Sequence, residues 1–263
     1  MSIVPDLVIT SVETITAFNI TTGDYLFTLD ELQDASISQS EETVDVTGKN
    51  GRKLAKLKKN KTVTVSGTNG LISGGLLEMQ TGGEFSNTTT EVLWTDYLTV
   101  TDNTATTSWV AVGTTGAEIE ELYLKNSDST IGTSLEQGDT AADGVFTYDP
   151  DTKVLTFSGV DDNTEIVVYY KRQIAADYLE NDSDNYSGKC ILYIDVLAED
   201  LCSNVYRVQF YIPKADFNGE FSIDMGGDQV THAFEAEALA GACGTAGTLF
   251  TYTVFGSDTE DAA

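Results

Sequence analysis

The chain has 263 residues, enough for one large all-β domain or two smaller ones. Its 41% apolar and 10% aromatic content excludes a disordered acidic polypeptide. Its formal net charge is −28, and its three cysteines lack C-x-x-C spacing, which argues against a disulfide framework. No stretch approaches about 18 uninterrupted apolar residues, so no membrane-spanning helix is expected.

The first residues, MSIVPDLVITSVE, have no basic flank and no long apolar run, so no secretory signal is expected. Glu13 to Ile20 and Tyr25 to Leu29 read as two strands around the turn Thr21-Thr22-Gly23-Asp24. Glu41 to Thr47 and Lys61 to Gly67 alternate as further strands. Between them runs GKNGRKLAKLKKNK, which holds half of the chain's basic residues and no acid: Lys49, Arg52, Lys53, Lys56, Lys58, Lys59 and Lys61. Everything outside that run carries about −35, so the chain is a charge dipole. Leu54 and Leu57 interrupt the lysines, which suggests a loop or short helix that docks while its charges stay on the rim. Contact between subunits ranks ahead of an inert solvated face, and both rank ahead of nucleic-acid binding, because the run has no interleaved aromatics and the acidic body repels phosphate.

Leu71 to Gln80 is the best helix candidate, weakened by Gly74-Gly75. From Asp96 to Arg172 short strands alternate with polar turns: Leu98 to Val100, Trp109 to Val112, Ile119 to Leu124, Val145 to Tyr148, Val154 to Phe157 and Ile166 to Tyr170. A hairpin turn is expected at Asp149-Pro150-Asp151-Thr152. The pattern suits a small inserted sandwich with its own core. Tyr178 to Ser187 reads as a linker. Cys190 to Leu197 follows, with Cys190 in register with Leu192, Ile194 and Val196, so a buried thiol in a reducing cytoplasm is expected. In Val205 to Ile212, Tyr206, Val208, Phe210 and Ile212 share one face, and Pro213 is expected to end the strand. Asn218-Gly219 marks a turn into Phe221 to Asp224. Val230 to Leu239 alternates, and Leu249 to Phe255 makes a last strand before an acidic tail from Asp258 to Ala263.

Catalytic and metal chemistry find little footing. The single histidine, His232, shares parity with Phe234, Ala236 and Ala238 and reads as a strand-face residue. One histidine with Cys190, Cys202 and Cys243 does not supply a tetrahedral zinc set. Gly188-Lys189-Cys190 fails as a phosphate loop, and Asp182-Ser183-Asp184 lacks the glycine and glutamate of a calcium loop. Adjacent acids such as Asp161-Asp162 and Glu41-Glu42 point to opposite faces of a strand. Neither enzyme activity nor a cofactor or metal is expected. Glu235 and Glu237 share the face opposite His232, and burying two unpaired carboxylates would be costly, so that face meets water.

The order of features resembles the tail tube, or major tail, proteins of tailed bacteriophages. The likeness rests on the hairpin TAFNITTGDYLFTLDEL, the serine-rich strand and charged segment ASISQSEETVDVTGKNGRKLAKLKKNKTVTVSGTNGLISGGLLEMQTG, and the closing HAFEAEALAGACGTAGTLFTYTVFG. The block ending DGVFTYDPDTKVLTFSGVDDNTEIVVYY looks like small β modules inserted in such proteins. The resemblance implies a mainly β fold, with a tail-tube-like sandwich or barrel core, one short helix and an inserted small β domain. The core would span residues 1–95 and 173–263 and the insert 96–172. It further implies hexameric rings stacked into a tube, contacts with other tail proteins and assembly in the host cytoplasm into the virion tail. DNA would pass down the lumen without specific binding. The basic run then corresponds to an inter-ring loop, and Glu235 and Glu237 become lumen-facing. Other virion roles, a capsid decoration or baseplate protein, remain alternatives, as does a surface or carbohydrate-binding β module.

Overall fold

A computed structural model of the chain describes residues 6–224, 231–240 and 247–256. The first segment forms β1 (Leu7–Asn19), β2 (Tyr25–Leu29), β3 (Leu32–Thr47), β4 (Lys53–Asn69) and α1 (Gly74–Thr81). The middle forms β5 (Ser86–Thr99), β6 (Thr104–Thr106), β7 (Ile119–Lys125), β8 (Ile131–Gln137), β9 (Val145–Asp149), β10 (Val154–Thr156) and β11 (Glu165–Tyr178). The last part forms β12 (Lys189–Asp200), β13 (Val205–Phe217), β14 (Ile223–Asp224), β15 (Thr231–Ala238) and β16 (Thr251–Gly256). The protein is mainly β, with one short helix among the described residues. Its two compact units are residues 1–85 with 179–263, and residues 86–178.

In the discontinuous unit, nine strands form one sheet that curls into a half-barrel. Its order is β2-β1-β12-β13-β15-β4-β3, with β14 beside β15 and β16 beside β13. Strict alternation explains its central strand. Cys190, Leu192, Ile194, Val196 and Ala198 of β12 all point into the core, as their shared register predicts. Burial pushes the Cys190 thiol up to about 12, which keeps it protonated and inert. The β1–β2 turn forms where expected. The Asn19 side chain accepts from the Thr21 and Thr22 amides at 2.8 and 3.2 Å, and Gly23 takes φ +76°.

Helix α1 starts three residues later than its apolar pattern suggests. Ser73 caps it, its hydroxyl accepting from Leu76 N at 3.4 Å, and Gly82 closes it in the left-handed region at φ +74°. Gly75 costs helix propensity for a packing reason: a Cβ there would come within 2.7 Å of the Phe27 side chain. Pro213 does not end its strand; β13 continues to Phe217. It is tolerated because β16 pairs β13 only through Tyr206–Tyr211 and β15 only through Ala215–Phe217, so Pro213 falls between the two partners. On the β12 side it lies at a register shift.

The second unit holds a seven-stranded sheet, order β5-β11-β7-β8-β9-β10-β6, with β8 and β9 parallel. Strands β5 and β11 pair along their whole length, from Thr99↔Glu165 to Ser86↔Tyr178. The unit's ends therefore lie outside the 96–172 read from the sequence. Leu122, Phe146, Leu155, Ile166, Val168 and Tyr170 fill its core. The expected turn at Asp149 forms, with the carboxylate accepting from Asp151 N and Thr152 Oγ1 at 3.0 and 2.7 Å.

Trp109 to Val112 is not a strand beyond an isolated bridge between Val112 and Lys171. Side chains replace strand partners there: Tyr170 Oη accepts from Trp109 N at 3.1 Å and Tyr148 Oη from Ala111 N at 2.9 Å. The Arg172 guanidinium lies between the Trp94 and Trp109 rings, 4.3 and 4.2 Å from their centroids. Two strands, β6 and β8, carry too few inward apolar residues to show in the sequence. Each buries one, Ala105 and Leu135.

Candidate assembly surface

The basic run is neither a loop nor a short helix. It forms most of β4, which pairs with β3 as one long hairpin. Only Lys49, in the 3-10 turn Lys49–Gly51, and Arg52 lie at the tip; Lys53, Lys56, Lys58, Lys59 and Lys61 lie on the strand. Near the base of the arm the register shifts between Ser40 and Glu42, opposite Asn60 at φ +51°, whose amide donates to Glu42 at 2.7 Å. Beyond that point no third strand among the described residues accompanies the pair, because β15 reaches β4 only at Thr64–Asn69.

Cross-strand pairing sorts the arm into two faces. Val44↔Leu57 and Val46↔Ala55 share one; Thr43↔Lys58 and Asp45↔Lys56 share the other. The first face is apolar and open to solvent, with Leu57 57% exposed; Leu54, unpaired at the register shift near the tip, is 65% exposed. The run is less isolated from acid than its sequence implies. Lys53 pairs with Asp45 at 2.5 Å, Lys58 with Glu41 at 2.7 Å and Lys59 with Glu42 at 3.5 Å, all within the hairpin. Lys49, Arg52, Lys56 and Lys61 have no ion pair among the described residues.

On β15 the alternation is as expected. His232, Phe234, Ala236 and Ala238 are buried, while Glu235 and Glu237 are exposed on the opposite face. Pairing extends that face across four strands. Asp216, Glu237, Thr64 and Ser38 form one row, and Glu235, Ser66 and Ser36 the next. Hydroxyls are bonded in pairs, Ser36 to Ser66 at 3.0 Å and Ser40 to Thr62 at 2.6 Å. Parity in the sequence identifies the glutamates but not this hydroxyl ladder, whose signal is the alternating Ser/Thr of ASISQS and KTVTVSGT. The result is an uncharged polar wall with carboxylates along one side.

His232 is fully buried and structural. Its Nε2 lies 2.7 Å from Gln80 Oε1, and Gln80 Nε2 donates to Ala233 O at 3.0 Å. Because the amide N–H is committed to that carbonyl, its oxygen accepts, and the neutral imidazole carries its proton on Nε2. Among the described residues no three His, Cys, Asp or Glu side chains gather to hold a metal ion, and no helix is long and apolar enough to cross a membrane. Cys243, Val230 and the acidic tail lie outside the described residues.

The model of the YomU/Tube protein family matches residues 7–252, nearly the whole chain, including the hairpin, both glutamates and the second unit. The chain belongs to this family. No curated protein matches it. YomU/Tube proteins are phage tube proteins, a structural class of the virion tail. The family match covers both the projecting arm and the hydroxyl–carboxylate face.

Proposed function

We propose that this chain is the repeating subunit of a phage tail tube. Six copies close a ring, rings stack, and DNA travels through the lumen on its way into the host. The observation that carries this reading is the hairpin arm. It projects past its own sheet with an apolar face uncovered, and it gathers the positive charge of a strongly acidic chain. Identical acidic bodies repel except where such an arm meets the next copy. The face bearing Glu235, Glu237 and the hydroxyl ladder suits a channel wall, because carboxylates repel phosphate while hydroxyls keep the surface wet. The role needs no cofactor, metal or catalysis. Subunits assemble in the host cytoplasm with other tail proteins, and residues 86–178 form an insert on the outside of the tube.

Negative-stain microscopy of the purified protein across a wide concentration range, paired with sedimentation velocity, tests this. Rings or tubes with an open channel are expected. A strict monomer at millimolar concentration under several salts would overturn the reading.

A further inference from the structure

We propose that Arg172, held between Trp94 and Trp109, binds the carboxylate of an acidic sugar, as carried by a uronate polysaccharide. The site belongs to the second unit alone and stands whether or not the chain assembles. The guanidinium is stacked on both sides, 4.3 Å from the centre of the Trp94 ring and 4.2 Å from that of Trp109. Stacking covers its flat faces and leaves the hydrogen-bonding edge. Along that edge Arg172 has no acceptor and no ion pair among the described residues, and its Nε is buried without a partner. The side chain is only partly buried, so an acceptor can come from solution. A planar fork of N–H donors matches a carboxylate more closely than any other common anion of its size.

The missing counter-charge is not for want of acids. Residues 86–178 carry sixteen acids against four bases. Lys125 and Lys171 take Glu165 and Glu120 as partners. The other two, Arg172 and Lys153, have no ion pair among the described residues, and both meet the same short segment. Arg172 lies against the Trp109 ring, and Lys153 Nζ donates to Ser108 O at 3.2 Å. Asp96 does not neutralise them: its oxygens accept from Ser108, Tyr170 and Trp94, and neither cation is among its partners. Two uncompensated cations at neighbouring residues hold an anion where the rest of an acidic unit repels it.

The clamp is built in advance. The Trp109 N–H donates to Tyr170 Oη at 3.1 Å, its carbonyl accepts from Thr107 Oγ1 at 2.8 Å, and the Trp94 indole N–H donates to Asp96 at 3.0 Å. Little ordering is therefore left for binding to impose. Trp109 is still 50% exposed and Trp94 37%. A carboxylate set against the guanidinium edge is flanked by apolar indole surface, which lowers the local dielectric and strengthens the charge-assisted pair. A uronate ring supplies both halves of the match, a rigid carboxylate for the fork and a face of C–H groups for the indoles. Acidic peptide side chains supply only the first, on flexible stems, and a neutral sugar only the second. A polymer repeats its carboxylate, which gives Lys153 a partner further along the same chain.

Trp94 and Trp109 are the only tryptophans in the sequence, so emission from the intact protein reports the site directly. Titration with polygalacturonate is expected to change that emission saturably. Binding should be about tenfold weaker for the fully methyl-esterified polymer, which keeps the ring and loses the charge, and for polyglutamate, which keeps the charge and loses the ring. Arg172→Gln should weaken polygalacturonate binding about tenfold, and Arg172→Lys, which keeps the charge without the fork, should not restore it. Should the Arg172 variants fail to fold, Lys153→Gln decides, with binding expected to weaken about threefold. No emission change with polygalacturonate overturns the proposal, and so does unchanged binding by Arg172→Gln or, in its place, by Lys153→Gln. Equal binding of polyglutamate or of the methyl ester overturns it too, since the site would then read charge alone or ring alone.

Discussion

His232 Nε2 lies 2.7 Å from Gln80 Oε1, tying β15 to the end of α1 through one buried hydrogen bond. The other ring nitrogen, Nδ1, is buried with no partner among the described residues. Protonation would place a second donor where nothing accepts it, and burial accordingly depresses the His232 pKa below its ordinary value. The unfolded chain binds this proton more readily. The stabilisation is therefore complete above about pH 6.5 and is lost as pH falls toward the folded-state value. Urea midpoints measured from pH 8 to pH 5.5 should decline for wild type and stay flatter for His232→Gln. Parallel profiles would show that histidine is not the titrating group.

Asp96 is held by four donors: Ser108 N at 2.7 Å, Tyr170 Oη at 2.7 Å, Ser108 Oγ at 2.9 Å and Trp94 Nε1 at 3.0 Å. Burial alone would raise its pKa, but these hydrogen bonds outweigh burial and hold it below the usual carboxylate range. Asp96→Ala strands those donors and should cost about 3 kcal/mol or more. Both tryptophans, Trp94 and Trp109, belong to this unit, so tryptophan fluorescence during urea unfolding reads its stability selectively. An unchanged midpoint would mean that water replaces the carboxylate freely.

Lys56 has no ion pair among the described residues, whereas Lys58 and Lys59 are partnered by Glu41 and Glu42. Lys56→Glu should therefore raise the concentration needed for assembly at least tenfold while leaving the thermal midpoint unchanged. The triple change of Lys56, Lys58 and Lys59 to Glu should abolish polymerisation with the monomer still folded. Sedimentation and circular dichroism together check both. Normal tubes from the triple variant would make the run a solvated face, and tight DNA binding by wild type alone would make it an anion site.

Glu235 and Glu237, changed together to Lys, should leave assembly intact but make tubes retain DNA in a steeply salt-dependent way. Screening confines the native repulsion to about 8 Å at physiological salt, enough to keep phosphates off a nearby wall. DNA binding to assembled tubes at low and at physiological salt is the measurement. Equal retention by wild type and variant would remove these residues from the channel.

Replacing residues 86–178 with a short Gly/Ser turn should leave the half-barrel folded and able to assemble, with tubes of smaller outer diameter under the microscope. A deletion variant that fails to fold would show that the second unit supports the first.

Strands with one buried face can be read directly from sequence. Strands β12 and β15 alternate without a break, and parity alone puts Cys190, His232, Glu235 and Glu237 on the faces they occupy. The arm cannot be read that way. Both of its faces are exposed, so burial imposes no period of two, and Leu54 and Leu57 fall at a spacing that suggests a helical turn. Only its pairing with β3 makes it a strand. Trp109 to Val112 departs in the opposite sense: its apolar run looks strand-like, yet tyrosine hydroxyls take the amides that a neighbouring strand would have taken. Pro213 is illegible for a third reason, since a proline's tolerance depends on which partners stand beside it.

Ser86 and Tyr178 are cross-strand partners, so the chain leaves the discontinuous unit and returns to it at points about 5 Å apart. Loop-closure entropy depends on the separation that the intervening chain must span, and a folded module with adjoining ends behaves as a tight turn. Once the β5–β11 stem has zipped, the half-barrel can join its two sequence halves almost as though residues 86–178 were missing. Before then, it must close a long flexible loop. Pairing of Ser86 with Tyr178 therefore removes most of the loop-closure cost of joining the two sequence halves of the half-barrel.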